Sequence, residues 1–171
     1  MQRKNIMFKL SSKETSTGTV WDHKGKTELL QILISHGDGV IHGLQFVYVE
    51  NGNLVASECL GGSDHGRKFN TVTLNYPDEF LTSISGSCTF GYRSCVSSIT
   101  FGTNQVSHGP FGKPEKDDIE FNFQMGKYRL FGGFHGTTTS NRYLESIGVY
   151  VKPIASLSDL NSAGIVQTAR K

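Results

Sequence analysis

Apolar and polar residues alternate along most of the first 150 residues, a pattern typical of half-buried β-strands. The alternation is clearest in five segments, 44–49, 71–74, 98–101, 119–123 and 147–151. No stretch of this region sustains the helical period of apolar positions. The pattern therefore predicts an all-β fold.

Turn signals separate these segments. An Asn-Gly sequence at 50–53 predicts a hairpin turn, a proline at 76–79 predicts a second turn, and the Gly- and Pro-rich segment 109–118 is interpreted as a longer connection. Short strands with frequent turns favour a sandwich, a barrel or a prism over an α/β fold.

A weak internal repeat refines this prediction. Segments 41–48, 96–103 and 144–151 share one order of apolar, small and polar positions at a spacing of about 50 residues. Three units of about four short strands each would form three small sheets around one core. The alignment makes His42, Ser97 and Glu145 equivalent at the strand entries, and only the third unit carries a carboxylate there.

Length and composition fit one domain with a C-terminal extension. The chain has 171 residues, enough to bury a core without disulfides, and its 20 glycines suit a fold with many tight turns. We assign the domain to residues 1–152. The small and polar residues of 153–171 indicate an extension that is flexible or loosely docked.

Charge and cysteine content narrow the class of partner. A formal net charge of +2 gives no field that favours nucleic acid or an anionic membrane as partner. We find no signal peptide and no membrane-spanning run, so we expect a cytoplasmic or nuclear protein. Three cysteines without CxxC spacing agree with reduced thiols; a Cys88–Cys95 hairpin disulfide is the disfavoured alternative.

Several motifs in order along the chain carry a family likeness. They are WDHKG, GDGVIHGLQFVYV, LNYPDEFLTSISG, VSSITFGTN, GPFG, FGGFHG and LESIGVYVKP. Over about residues 6–152 the chain resembles jacalin-related plant lectins, particularly the single-domain, mannose-type members. The resemblance implies a β-prism of three four-stranded Greek-key sheets with pseudo-threefold symmetry. It also implies a non-catalytic lectin for mannose/glucose-type glycans that needs no cofactor, acts in plant defence or stress, and forms homodimers or tetramers.

The resemblance also implies one shallow sugar site before the last strand. The family's Gly-x-x-x-Asp turn, whose aspartate accepts hydrogen bonds from sugar hydroxyls, corresponds here to Asn141 and Glu145. Asn tolerates the left-handed backbone that Gly supplies, whereas the longer carboxylate changes the geometry. Arg142 and Tyr143 flank this turn, and the preceding TTTS makes the loop longer than the family's usual one.

Two further loops contribute in the family. A Gly-rich loop before Trp-Asp is replaced here by residues 11–18, which retain only Gly18 and are expected to narrow or redirect the pocket. Tyr92 and Arg93 correspond to the specificity loop. These departures leave an alternative open, a degenerate member of the virus-movement-restricting kind that has lost or weakened sugar binding and acts as a protein-interaction module. Sugar contact by Glu145 competes with a second interpretation, a solvated acid at a strand start.

Other candidate residues do not support chemistry. Ser63, Asp64 and His65 are adjacent and cannot converge as a catalytic triad, and the histidines lack metal-ligand spacing. We therefore predict no catalytic residue and no metal site. His135 is expected to anchor its loop through the ring nitrogens, and Asp117 with Asp118 to form a solvated turn.

Overall fold

The computed structural model describes residues 6–14, 16–62, 67–140 and 142–162. The described residues form thirteen strands and one short helix: β1 (Phe8–Ser11), β2 (Thr19–Asp22), β3 (Leu29–Gly37), β4 (Val40–Glu50), β5 (Asn53–Ala56), β6 (Leu60–Gly61), β7 (Lys68–Thr73), β8 (Leu81–Cys88), β9 (Val96–Thr103), β10 (Ser107–Gly112), β11 (Ile119–Gln124), β12 (Phe131–Thr139), β13 (Tyr143–Val151) and α1 (Leu157–Ser162).

Each of three antiparallel sheets is built around one long hairpin. The strand orders are β1-β13-β12-β2, β5-β4-β3-β7 and β10-β9-β8-β11, and the two-residue β6 adds to β4 in the second sheet. The central hairpins β3–β4, β8–β9 and β12–β13 contain the three repeat segments. The predicted all-β prism of three sheets is confirmed.

The three sheets share one aromatic core. Phe46 of β4 stacks on Phe134 of β12 with ring centroids 4.3 Å apart, and Phe101 of β9 meets Phe134 edge-on at 6.2 Å. All three side chains are completely buried. Each ring comes from a different sheet, so the three sheets bury their apolar faces against one another.

Each central hairpin carries a β-bulge near its tip, at the position that the sequence repeat made equivalent. Ser35 pairs with Gly43 and His36 with Ile41, which leaves His42 as the extra residue. In the same way Ser97 is extra in β9 and Glu145 in β13. A bulge interrupts the hydrogen-bond ladder and changes the direction of the extra residue's side chain. His42, Ser97 and Glu145 lie at matching positions at the hairpin-tip end of the prism.

Two segments interpreted as loops are strands. Residues 109–112, assigned to a long connection, belong to β10; Pro110 is tolerated there because β10 is an edge strand with a register shift between His108 and Phe111. The threonines 137–139, interpreted as part of a lengthened loop, lie in β12 and pair with β13, and 137 and 138 also pair with β2. Threonine is β-branched and suits a strand even where the run is polar.

The turn at 50–53 follows the prediction. Asn51 and Gly52 have φ values of 50° and 76°, as a two-residue hairpin turn requires.

Beyond β13 the chain forms α1, in which Asp159 accepts hydrogen bonds of 3.0 Å from the amides of Ala155 and Ser156. No helix in the described ranges is long and apolar enough to cross a membrane. Residues 163–171 lie outside the description, and the division at residue 152 stays a prediction.

Candidate functional site

The bulge in β13 turns Glu145 away from solvent and toward the β1–β2 loop. Thr137 pairs with Ser146 and Thr138 with Leu144, so Glu145 has no partner in the ladder. Its side chain is only 4% exposed. The interpretation of Glu145 as a solvated acid is therefore wrong, because the bulge directs its carboxylate into the space below the loop.

Two backbone amides of the β1–β2 loop bind this carboxylate. Gly18 N donates to Oε2 at 2.9 Å, and Thr17 N donates to Oε1 at 3.3 Å. Glycine is required at 18 because a Cβ would lie 2.4 Å from Oε2 of Glu145 and 2.5 Å from the carbonyl oxygen of Thr138. Gly18, the residue retained from the family's Gly-rich loop, thus lies directly against Glu145.

A lysine completes the carboxylate's environment. Lys13 Nζ donates to Oε1 of Glu145 at 3.1 Å and also to Oγ of Ser94 in the β8–β9 loop. The Lys13 side chain is 27% exposed. Sequence reasoning missed this residue; the one signal was a basic side chain in the loop that replaces glycines.

These hydrogen bonds set the ionisation of Glu145. Burial by itself raises the pKa of a carboxyl group, but donation from Thr137, from Lys13 and from the amides of Thr17 and Gly18 outweighs it. The pKa of Glu145 is held below its usual value, so the group is a carboxylate at neutral pH.

The β8–β9 loop forms a second wall next to Lys13. Tyr92 and Arg93 are both exposed at the tip. Thr89 braces the loop, since Oγ1 accepts from Cys95 N at 2.9 Å and donates to the carbonyl of Arg93 at 3.1 Å. This bracing fixes Ser94, the partner of Lys13.

The tip of the β12–β13 hairpin is a short turn. Ser140 has a φ of 47°, and the amide of the exposed Arg142 donates to the carbonyl of Thr139 at 2.8 Å. Tyr143 is half-buried and pairs with Thr139. Asn141, which replaces the family's glycine in this turn, lies outside the described residues.

The equivalent position in the sheet β10-β9-β8-β11 has a different polar arrangement. Ser97 is buried and donates to Oδ2 of Asp118 at 2.5 Å, and the same oxygen accepts from Glu115 N at 2.9 Å. Asp117 is exposed, whereas Asp118 is half-buried. The prediction of a solvated turn therefore holds for Asp117 and is wrong for Asp118.

The remaining predictions concern single residues. His135 lies in β12, and its Nε2 donates to the carbonyl oxygen of Leu10 at 2.7 Å. It therefore anchors β1, and the prediction that it anchors a loop is wrong. Cys59, Cys88 and Cys95 are free thiols. Within the described ranges no three His, Cys, Asp or Glu residues gather as a metal site. Ser63, Asp64 and His65 lie outside those ranges.

Comparison with known proteins identifies the family to which this three-sheet prism belongs. Residues 12–150 match the model of the Jacalin-like lectin domain, and the chain belongs to this family. Members of this family are carbohydrate-binding proteins without catalytic activity, and the chain is not an enzyme.

Individual relatives are similar over most of the chain. Protein RESTRICTED TEV MOVEMENT 1 of Arabidopsis thaliana is 36% identical over 155 residues, covering 88% of this chain and 87% of that protein. A mannose/glucose-specific lectin of Parkia platycephala is 33% identical, covering 81% of this chain and 30% of its own length. The structure of AcmJRL, a mannose-binding jacalin-related lectin from Ananas comosus, superposes with a TM-score of 0.71 at 31% identity, covering 86% of this chain and 99% of that one.

Proposed function

We propose that the protein is a lectin with one shallow site for mannose/glucose-type glycans, formed by the loops 12–18, 89–95 and 140–143. The observation that carries this proposal is the ionised carboxylate of Glu145, held at the loop end of the prism together with the Gly18 amide. A fixed carboxylate and oriented amides are suitable partners for a ligand rich in hydroxyl groups.

The surroundings of Glu145 support this proposal. Tyr92 and Arg93 are exposed on the β8–β9 loop, whose Ser94 binds Lys13, and they offer a ligand an aromatic face and a cation. Two relatives, AcmJRL and the Parkia lectin, are named for mannose or mannose/glucose binding. A single shallow site of this kind binds weakly and gains strength from multivalency.

Calorimetric titration of the purified protein tests this function. The ligands are the methyl glycosides of mannose, glucose and galactose and a mannose-rich oligosaccharide, each added to wild type, Glu145→Ala and Glu120→Ala. Glu120 is an exposed acid of β11 and serves as the matched control. We expect saturable binding at about millimolar sugar, weakened at least about tenfold by Glu145→Ala only. Absence of binding, or binding that Glu145→Ala leaves unchanged, contradicts the proposal.

One observation favours a second function, a protein-interaction module with weak or lost sugar binding. Both oxygens of Glu145 already accept hydrogen bonds within the chain, from Lys13 and Thr17 on one side and Gly18 on the other. A sugar hydroxyl must compete with these donors. A protein partner that binds wild type and Glu145→Ala equally, while no sugar binds, would establish this function instead.

The biological setting is proposed on the same basis. We propose a role in plant defence or stress, in line with the family likeness and with the name of the Arabidopsis relative. We also propose a cytoplasmic or nuclear location and a homodimer or tetramer. Imaging of a fluorescent fusion and light scattering of the purified protein test these two points.

A further inference from the structure

The ammonium group of Lys13 stands at the mouth of the proposed glycan site. An ammonium has three N–H donors and no acceptor. One donor binds Oε1 of Glu145 at 3.1 Å and one binds Oγ of Ser94. Among the residues that the structure describes, the third has no hydrogen-bond partner. The Lys13 side chain is 27% exposed, so it can be reached from solvent.

Lys13 changes what the site offers to a ligand. A bare carboxylate would accept hydrogen bonds from sugar hydroxyls. Here the oxygens of Glu145 are engaged by Lys13, Thr17 and Gly18, and the side chain is 4% exposed. The group that a ligand meets first is therefore a positively charged donor. A neutral hexose reaches Glu145 only by displacing Lys13, whereas an anionic group can bind Lys13 and leave its bond to Glu145 intact.

The exposed charges of the surrounding loops add to this preference. Arg93 precedes Ser94 on the β8–β9 loop, and Arg142 lies three positions before Glu145; both side chains are exposed. Glu14 is the exposed acid next to Lys13 on the same loop. The charged residues of these loops and of the adjoining bulge are thus three cations, Lys13, Arg93 and Arg142, and two carboxylates, Glu14 and the buried Glu145.

We propose that the ligand of this site is a sugar carrying a carboxylate, a uronate, and that Lys13 is the residue that determines this specificity. The proposal rests on the glycan-binding function proposed above. A uronate carboxylate accepts a charge-assisted hydrogen bond from Lys13, while the ring hydroxyls contact the exposed groups of the three loops.

A matched pair of ligands tests the specificity. Methyl α-D-glucoside and methyl α-D-glucuronoside differ only at carbon 6, and calorimetry gives the ratio of their affinities. For wild type at low ionic strength we expect the glucuronoside to bind about tenfold more tightly. In Lys13→Gln the preference for the glucuronoside over the glucoside falls to about twofold or less, and the glucoside itself binds more tightly than in wild type. In Lys13→Arg the preference is retained. Added salt lowers the wild-type ratio, because an exposed charge pair is screened.

Lys127→Gln is the matched control. Lys127 is exposed in the β11–β12 loop, at the end of the prism away from the hairpin tips, and its removal changes the net charge equally. It should leave the ratio unchanged. Fluorescence of Trp21, the single tryptophan of the chain, shows that each variant is folded.

Failure of this proposal differs from failure of the proposed function. Glu145-dependent binding in which the glucoside equals or exceeds the glucuronoside, or in which Lys13→Gln keeps the preference, overturns the uronate specificity and leaves glycan binding standing. If wild type binds neither glycoside nor a mannose-rich oligosaccharide, the glycan-binding function itself fails, and the specificity with it.

Discussion

The amide of Gly18 donates a 2.9 Å hydrogen bond to Oε2 of Glu145, although 127 positions separate the two residues in sequence. The family resemblance assigns both groups to the sugar, one as donor and one as acceptor. In this chain the Gly18 amide and the Glu145 carboxylate bind each other, and the bulge in β13 leaves Glu145 outside the ladder, where it can reach the loop. The two groups that we propose to bind the sugar are therefore already bound to each other.

The first prediction concerns the close packing at Gly18. In Gly18→Ala the new Cβ would meet Oε2 of Glu145 at 2.4 Å and the Thr138 carbonyl oxygen at 2.5 Å. The carboxylate or the loop must move, and we expect a loss of about 1–3 kcal/mol in the free energy of unfolding. Urea unfolding followed by Trp21 fluorescence measures this loss.

Ser16→Ala is the control for Gly18→Ala. Ser16 is an exposed residue of the same loop and should change the free energy of unfolding by no more than about 0.5 kcal/mol. Equal stabilities of Gly18→Ala and Ser16→Ala would show that the loop does not pack on Glu145 in solution.

The second prediction uses the lowered pKa of Glu145. A carboxyl group whose folded pKa lies below its unfolded value of 4.5 stabilises the protein above that value. The contribution is lost as the pH falls through the folded pKa. We expect Glu145→Gln to be less stable than wild type by about 1–3 kcal/mol at neutral pH, with the difference shrinking in acid.

Urea unfolding at a series of pH values from about 3 to 7 checks this dependence. The exposed Glu120→Gln should follow the wild-type curve throughout. A stability difference between Glu145→Gln and wild type that stays constant across the range would contradict the assigned ionisation.

The hairpin framework of the fold could be predicted from the sequence. Alternation identified the strands that face both solvent and core, and the three repeat segments aligned His42, Ser97 and Glu145 correctly at the three bulges. The alignment was correct because each repeat carries its bulge at the same place. The spacing between apolar positions is therefore the same in all three units.

The contacts of the site could not be predicted in the same way. Lys13 and Glu145 lie 132 positions apart, and no periodicity indicates which side chain of a polar loop reaches a carboxylate on another strand. The strand formed by the threonines 137–139 was missed because both faces of β12 are buried, so its polar residues do not alternate with apolar ones.

The third prediction concerns the attachment of β1. Gly148 pairs with Ser11, and a Cβ at 148 would lie 1.9 Å from the Leu10 carbonyl oxygen and 2.5 Å from the His135 ring. Gly148→Ala should therefore separate β1 from β13 and break the bond from His135 to Leu10. Hydrogen exchange should show amides of β1 losing protection while those of β8 and β9 keep theirs. Unchanged protection of β1 would contradict this contact.

The donor order of a buried hydroxyl chain can be deduced from its acceptor end. Ser97 must donate to the carboxylate of Asp118, since a carboxylate only accepts. Each hydroxyl has one hydrogen, so Ser87 donates to Ser97 at 2.8 Å and Ser98 donates to Ser87 at 2.7 Å. Asp118 thus orients three buried serines.

The fourth prediction follows from this order. Asp118→Ala removes the acceptor of Ser97 and of the Glu115 amide, and it should cost about 1–3 kcal/mol in the free energy of unfolding. Asp118→Asn retains an oxygen acceptor and should cost less, and Asp117→Ala, an exposed neighbour, should cost at most about 0.5 kcal/mol.

Because Ser97 and Asp118 act through one bond, the double variant Ser97→Ala/Asp118→Ala should lose less than the sum of the single losses. Strict additivity in urea unfolding would show that the carboxylate does not orient the chain.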